Sequence, residues 1–174
     1  MYRFSASSFT RRQAIALLGT LATASFAGCT NNTSPTPESK EVKKPLVLTT
    51  FTVIQDMAAN IAGDFCDVQS ITKAGAEIHD YEPTPEDLKL AQKANLILNN
   101  GLGLERWFER FVADSAAKRV DLSQGVTPMN ISEGEYAGEA NPHAWMSPAN
   151  GQIYVNNIVK GLSALVPDHA DDFA

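Results

Sequence analysis

Histidine and cysteine are scarce in this chain of 174 residues, which contains three histidines and two cysteines. No CxxC, HxxxH or HExxH pattern occurs in it, so the short metal-binding signatures are excluded. Positive charge is scarce as well, and the formal net charge is −6. Because nucleic-acid-binding domains usually carry a basic patch, this acidic balance argues against a nucleic-acid partner.

Long apolar runs are also lacking, and the uncharged, mostly apolar stretch at residues 14–27 is short. A membrane-spanning helix needs about 20 such residues, whereas the apolar region of a secretory signal has about this length. Three arginines precede the stretch, and "TRRQAIA" at residues 10–16 resembles a twin-arginine export motif. The sequence therefore predicts a signal peptide over residues 1–28; the alternative is a buried amphipathic helix.

The segment after the signal predicts a lipid anchor and a tether. "FAGC" at residues 26–29 resembles a lipobox, in which a signal peptidase cuts before a lipid-carrying cysteine, so Cys29 is the expected attachment site. Residues 29–45 are rich in Ser, Thr, Pro and charge, so they cannot build a core and are expected to link the lipid to a domain. With Cys29 acylated, Cys66 is expected to be a buried apolar residue or to pair outside the chain.

Short apolar runs alternate with amphipathic segments from residue 46 to residue 174. Strands are predicted at 46–51, 67–72, 96–99 and 118–123, and helices at 53–64, 84–95, 104–116 and 147–165. Between 124 and 145 no period is clear, and we expect a loop with one short strand at 126–129. Strand–helix alternation with short links predicts an α/β fold, in which a parallel sheet is flanked by helices on both faces.

Two of the three histidines lie in turn-rich segments, each ahead of a predicted helix. His79 is in "GAEIHDYEPTPEDL", just after the second strand, and His143 is in "NPHAWMSP", 64 positions later. Ligands bind at the carboxyl ends of strands in open α/β sheets, so both side chains can reach one rim. Neutral imidazole is the commonest metal ligand, but a single loop histidine is usually a surface residue. The residues alone therefore leave a paired metal site and two surface histidines as alternatives.

Three long motifs, in this order, resemble a known family. "GAEIHDYEPTPEDL", "NGLGLERWFERF" and "NPHAWMSPANGQIYVNNI" are similar to the metal-specific cluster of solute-binding lipoproteins of ABC transporters. The resemblance implies two α/β lobes, one long linking helix and a metal in the cleft between the lobes. Residues 46–174 correspond to the N-terminal lobe, and His79 and His143 match its two metal-binding histidines. By this resemblance the chain is truncated before the linking helix and the C-terminal lobe, which contributes a carboxylate or a third histidine and then an aspartate.

The resemblance also implies a cargo and partners. The expected function is extracytoplasmic capture of a divalent transition metal for import by an ABC permease in the cytoplasmic membrane. The expected location is periplasmic or at the outer face of that membrane, through the lipid anchor. Zinc-specific members often carry a loop rich in His and acidic residues before the second histidine, whereas residues 130–140 contain three glutamates and no histidine. Manganese prefers oxygen-rich shells, so Mn²⁺ is expected first, then Zn²⁺, then Fe²⁺.

Two other functions remain open on the sequence. A truncated, transport-inactive lipoprotein or adhesin-like remnant needs no complete metal site. An exported zinc hydrolase needs three protein ligands, and the spare imidazole, His169, is expected in solvent near the start of a helix. No catalytic base is evident, so we do not expect an enzyme. Because a second lobe would cover part of the last helix, apolar surface is expected to be exposed there.

Overall fold

The computed structural model describes residues 43–113 and 115–174. They belong to one compact unit that spans residues 41–174. The predicted signal peptide, Cys29 and most of the predicted tether lie outside the described residues. Within the described ranges, no helix combines the length and the apolar character that crossing a membrane requires.

Strands and helices alternate along the described chain. In chain order they are β1 (Leu46–Thr49), α1 (Thr52–Ala62), β2 (Asp67–Ser70), α2 (Pro85–Lys93), β3 (Leu96–Asn99), α3 (Arg106–Phe111), β4 (Lys118–Asp121) and α4 (Pro148–Leu165). Two 3₁₀ helices, Ala144–Met146 and Pro167–Phe173, lie before and after α4. The four strands form one parallel sheet in the order β2–β1–β3–β4, which confirms the predicted α/β class.

Side chains of the two central strands alternate between two cores. Val47, Leu96 and Leu98 pack with α1 and α4 on one face of the sheet. Leu48 and Ile97 pack with α2 and α3 on the other face. All five are fully buried, and each such side chain contributes roughly 1.5–3 kcal/mol to the hydrophobic stabilisation. The period of two explains why the first three residues of both β1 and β3 are apolar. The predicted helices on both faces are confirmed.

Helix α2 begins with a capping box. The Thr84 hydroxyl accepts a hydrogen bond from the Asp87 amide, and the Asp87 carboxylate accepts one from the Thr84 amide. Asp87 also accepts from the Tyr81 hydroxyl at 3.0 Å, so the cap holds the end of the preceding loop. Ser147 occupies the corresponding position before α4, but its side chain makes no capping bond. The predicted N-caps are thus both in place, and only the first one uses its side chain.

The strands predicted at 46–51, 67–72 and 118–123 each end two residues earlier in the structure, and two other predicted elements differ more. The third helix spans Arg106–Phe111 rather than 104–116, because the backbone at Glu105 (φ −107°, ψ 54°) and at Val112 (φ −104°, ψ 7°) departs from helical values. No strand forms at 126–129; the ordered feature there is an isolated antiparallel bridge between Asn130 and Ala140. That bridge closes a hairpin-like loop at 130–140 instead of extending the sheet.

The expected exposure of apolar surface on the last helix is wrong for the described residues. The large apolar side chains that are exposed lie elsewhere, at Val53, Leu88, Met129, Tyr136 and Met146. Met129 and Met146 are the most open, with 77% and 74% exposure. On α4 the side chains of Tyr154, Ile158 and Leu162 are fully buried in the core. The open apolar surface is therefore on loops and helix starts rather than on α4.

Candidate metal site

The carboxyl ends of β1 and β3 form a switch point, because the chain leaves these neighbouring strands toward opposite edges of the sheet. Open α/β sheets bind ligands at such points. His79 lies in the segment after β2 and His143 in the segment after β4, so they reach this rim from its two sides. Their Nε2 atoms are 3.3 Å apart, which confirms that the two segments meet at one rim.

The spacing of the two Nε2 atoms fits two ligands of a single ion. Nitrogens that lie about 2.0–2.1 Å from a tetrahedral Zn²⁺ are separated from each other by roughly 3.3–3.4 Å. The same 3.3 Å also fits a hydrogen bond in which one ring donates to the other when no ion is bound. Their ring centroids are 5.2 Å apart and the planes are inclined by 58°, so the rings converge at their tips rather than stack.

Backbone hydrogen bonds hold the segment that carries His79. The indole Nε1–H of Trp107 donates to the carbonyl of Ile78 at 2.8 Å. The amides of Ile78 and His79 both donate to the Glu77 carboxylate, at 2.9 and 3.0 Å, and these bonds lower the pKa of Glu77. The His79 side chain itself is exposed. The backbone around His79 is therefore fixed while its ring remains accessible.

His143 is held more firmly than His79. Its backbone N–H and its ring Nδ1 both lie within hydrogen-bond distance of Asn141 Oδ1, at 3.0 and 2.9 Å. An amide oxygen only accepts, so Nδ1 carries the proton and Nε2 keeps its lone pair. Trp145 contacts both His143 and the buried Phe51, with ring centroids 5.3 and 4.9 Å apart. Asn141 thus selects the tautomer that a metal requires, as partners of ligating histidines commonly do.

Electrostatics keep His143 neutral. Burial lowers its pKa, and the neighbouring His79 lowers the pKa further. A neutral imidazole is the form that coordinates a metal. The arrangement therefore favours metal coordination at neutral pH over a charged histidine pair.

The two histidines line an open cleft of ≈ 1150 Å³. One wall comes from the 130–140 loop, including Tyr136 and Glu139. Arg106 at the start of α3 pairs with Glu139 at 2.8 Å, which ties that loop to the helix. Both partners are largely exposed, so the pair contributes at most about 1 kcal/mol. The cleft can admit a ligand or a covering domain without a change in the fold.

The described residues supply no third ligand beside the pair. Within 43–113 and 115–174, no group of three or more His, Cys, Asp or Glu side chains has a metal-binding arrangement. His169 lies only partly in solvent: its side chain is 41% exposed, its ring stacks on Phe65 with centroids 4.0 Å apart, and its Nδ1 is 3.0 Å from Asp172. Cys66 is buried, as expected, and forms no disulfide within the described residues; burial raises the pKa of its thiol.

Two supporting residues escaped the sequence analysis. Asn141 stands two positions before His143, and Trp107 lies within the helix that was predicted at 104–116. An Asn-Pro-His order is a local signal for the first, because an Asn side chain readily bonds the backbone two residues on. No local signal marks the second, since its contact with Ile78 spans 29 positions.

Comparisons with known proteins identify the family of this chain. The family model described as "ZnuA: Zinc-uptake complex component A periplasmic" matches residues 47–174. The "Iron-binding protein YfeA" of Yersinia pestis is 51% identical over 91% of this chain and 49% of its own length. The "Manganese ABC transporter substrate-binding lipoprotein PsaA" of Streptococcus pneumoniae is 37% identical over 82% of the chain and 48% of its own.

A solved structure of a metal-binding protein has the same fold over the matched residues. The manganese-bound periplasmic metal-binding protein of candidatus Liberibacter asiaticus superimposes with a TM-score of 0.70 at 39% identity. The match covers 75% of this chain and 49% of that one. The chain thus spans about half the length of the relatives that it matches. Because the family model covers most of the chain, and the motifs around His79 and His143 lie inside the match, the chain belongs to the ZnuA family of periplasmic metal-uptake components.

Proposed function

We propose that this chain provides the first two ligands, His79 and His143, of a metal site in the solute-binding component of an ABC importer. The 3.3 Å separation of their Nε2 atoms carries the proposal, because it is the spacing of two nitrogens on one ion. Membership of a metal-uptake family supports it. Two imidazoles leave most positions of the ion open, so the remaining ligands would come from a second lobe.

Manganese is the proposed cargo, with zinc second and iron third. The loop at 130–140 before His143 is acidic and has no histidine, which favours a harder metal. The names of the relatives include manganese, iron and zinc proteins, so they support a divalent metal without choosing one. Intrinsic affinity for nitrogen ligands still favours Zn²⁺ over Mn²⁺. Selection of Mn²⁺ would therefore rest on the other ligands and on supply.

Calorimetric titration of the purified protein with Zn²⁺, Mn²⁺ and Ca²⁺ tests the proposal. Zn²⁺ is expected to bind weakly at one site, Mn²⁺ more weakly still, and Ca²⁺ not at all, because Ca²⁺ takes oxygen ligands. Absence of Zn²⁺ binding would refute the ligand pair and favour a transport-inactive lipoprotein or adhesin-like remnant. Equal heats for Zn²⁺ and Ca²⁺ would assign binding to carboxylates instead.

A zinc hydrolase ranks below both metal capture and a transport-inactive lipoprotein. It requires a third protein ligand and a general base, and the described residues group no third ligand with His79 and His143. We therefore propose no catalytic role. Turnover of an ester substrate by the zinc-loaded protein, lost in His143→Ala, would reverse this ranking.

Export and lipid attachment at Cys29 complete the proposed function. The lipoprotein names of relatives support a lipid-anchored component that works at the outer face of the cytoplasmic membrane with a permease. Metabolic labelling with a radioactive fatty acid is expected to mark the wild-type protein and the Cys66→Ser variant but not Cys29→Ser. Cys66→Ser is the matched control because it removes the other cysteine. Label retained in Cys29→Ser would contradict this assignment.

A further inference from the structure

The switch point between β1 and β3 is filled by a side chain of the protein itself. The carboxyl of Glu105, which is 5% exposed, accepts hydrogen bonds from the Thr50 hydroxyl at 2.7 Å and from the Asn100 amide at 2.6 Å. A third bond comes from the Gly101 amide at 3.2 Å. Donors at such a crevice usually serve a ligand. Here the donors bond to Glu105 instead of a ligand, so the floor of the crevice is part of the folded structure rather than a binding site.

The loop above this floor has little freedom to move. Gly101, Leu102 and Gly103 have φ values of 79°, 53° and 76°, and left-handed backbone of this kind is unfavourable for leucine. A Cβ on Gly101 would lie 2.6 Å from the hydroxyl oxygen of Ser123, so the backbone there is closely packed. The two Glu105 bonds to Asn100 and Gly101 hold the loop in this conformation.

Asn100 connects that floor to the segment of His143. It is fully buried, and its Oδ1 accepts a hydrogen bond from the Tyr154 hydroxyl at 2.7 Å. Burial raises the pKa of Tyr154 strongly, so this hydroxyl remains a donor. The Nδ2 of Asn100 donates to the carbonyls of Gly101 and Pro142, at 2.8 and 2.9 Å. Both N–H groups and the oxygen of the Asn100 side-chain amide therefore have fixed partners.

The contact with Pro142 matters because Pro142 immediately precedes His143. Asn141 sets the ring orientation of His143, but Asn141 belongs to the same segment and cannot fix that segment against the sheet. Asn100 lies at the end of β3 and bonds to a carbonyl 42 positions away. A shift of Pro142 would move His143 Nε2 away from His79 Nε2.

We propose that Asn100 is a positioning residue for the metal site, which holds His143 at ligand distance from His79 through the Pro142 carbonyl. Thr50, Glu105 and Tyr154 orient Asn100 and act on the site only through it. The proposal rests on the proposed function, since it assigns a role toward the same two histidines. It predicts that a variant without the Asn100 donor loses metal affinity although it still folds.

The direct test is Asn100→Asp, which keeps an acceptor for Tyr154 and removes the donor to Pro142. Zn²⁺ affinity is expected to fall about 10-fold, as for other residues that orient a metal ligand. In the metal-free protein, the imidazole NMR signals of His143 are expected to shift while those of His169 stay in place. The NMR measurement needs no metal, so a failure of the proposed function, seen as no Zn²⁺ binding by the wild type, is distinguishable from a failure of this proposal.

Asn157→Asp is the matched control. The Asn157 Nδ2 also donates to two loop carbonyls, those of Leu122 and Gln124 at 2.8 and 2.9 Å, but away from the histidines. Its replacement removes the same kind of bonds and is expected to leave Zn²⁺ affinity and the His143 signals unchanged. If Asn100→Asp does not fold, Tyr154→Phe replaces it, because it removes only the hydroxyl that orients Asn100. Unchanged His143 signals and unchanged Zn²⁺ affinity in a folded variant of either residue would overturn the proposal.

Discussion

Replacing His143 with alanine is expected to weaken Zn²⁺ binding by more than about 100-fold. Loss of a group that only orients a metal ligand already lowers affinity by about 10–100-fold, and His143 is the proposed ligand itself. His79→Ala is expected to have an effect of the same order, because each imidazole supplies half of the contacts that the described residues offer. The double variant should bind no Zn²⁺ at this site, because it retains neither imidazole. Titration calorimetry measures all three.

His169→Ala is the matched control for these replacements. It removes the third histidine, which stacks on Phe65 and pairs with Asp172 instead of lining the cleft. Zn²⁺ affinity is expected to be unchanged in this variant. His79 is exposed, so His79→Ala should also change the free energy of unfolding by no more than about 0.5 kcal/mol, as checked by denaturant titration. Strong Zn²⁺ binding by the double variant would assign the metal to other groups.

The contacts of His143 also indicate how the pair behaves without a metal. Asn141 holds the proton of His143 on Nδ1, so the Nε2 of His143 accepts and the Nε2–H of His79 donates across 3.3 Å. In the proposed site, a metal that binds both Nε2 atoms would require His79 to move its proton from Nε2 to Nδ1. Because His79 is exposed, solvent can mediate this exchange. The spacing of the pair already fits the proposed ligand geometry, so binding there would require a tautomer change rather than a backbone change.

The fold could be predicted from sequence because its signals are local. Val47 and Leu48 are neighbours in an apolar run, and only a strand that is buried on both faces places both side chains in a core. Thr84, Pro85 and Asp87 specify a helix start within four residues, and the structure forms the capping box there. The meeting of His79 and His143 also followed from order alone, because parallel strands deliver their loops to the same rim.

The rest of the site depends on contacts between distant residues. Glu105 was placed on an amphipathic helix, yet it lies before α3 with its carboxyl buried beneath Thr50 and Asn100. A charged residue of an amphipathic helix is expected to be exposed to solvent. The Glu105 carboxyl can be buried because three hydrogen-bond donors satisfy it. Asn100 reads as a turn residue in "NGLG", whereas its role comes from Tyr154, 54 positions away. Hydrogen bonds between residues that are so far apart in the chain leave no periodic pattern in the sequence.

Glu105→Ala is expected to destabilise the protein by about 3–5 kcal/mol. The change leaves the Thr50 hydroxyl and the amides of Asn100 and Gly101 without their acceptor in a buried environment, at about 1–3 kcal/mol for each group that water cannot reach. It also opens a cavity beneath the loop. Denaturant-induced unfolding measures the loss. Glu109→Ala is the matched control, because Glu109 is an exposed glutamate of α3 and its removal should change stability by less than about 0.5 kcal/mol.

The buried carboxyl also predicts a pH dependence. Burial raises the pKa of Glu105, and the donations from Thr50, Asn100 and Gly101 oppose that rise without reversing it. The folded protein therefore holds this proton more tightly than the unfolded chain, whose glutamates titrate near ~4.3. The corresponding stability is fully present below that pH and is lost as the pH rises through the raised pKa of the folded state.

Glu105→Gln isolates this contribution, because glutamine has nearly the same shape and does not titrate. We expect the free energy of unfolding of the wild type, minus that of Glu105→Gln, to fall as the pH rises from about 4 and then to level off. Measurement at several pH values with the same denaturant gives this difference directly, and the other titrating groups cancel in it. A difference that instead grew with pH would mean that the three donors stabilise the carboxylate more than burial destabilises it. Glu105 would then act as a bound internal anion at the switch point.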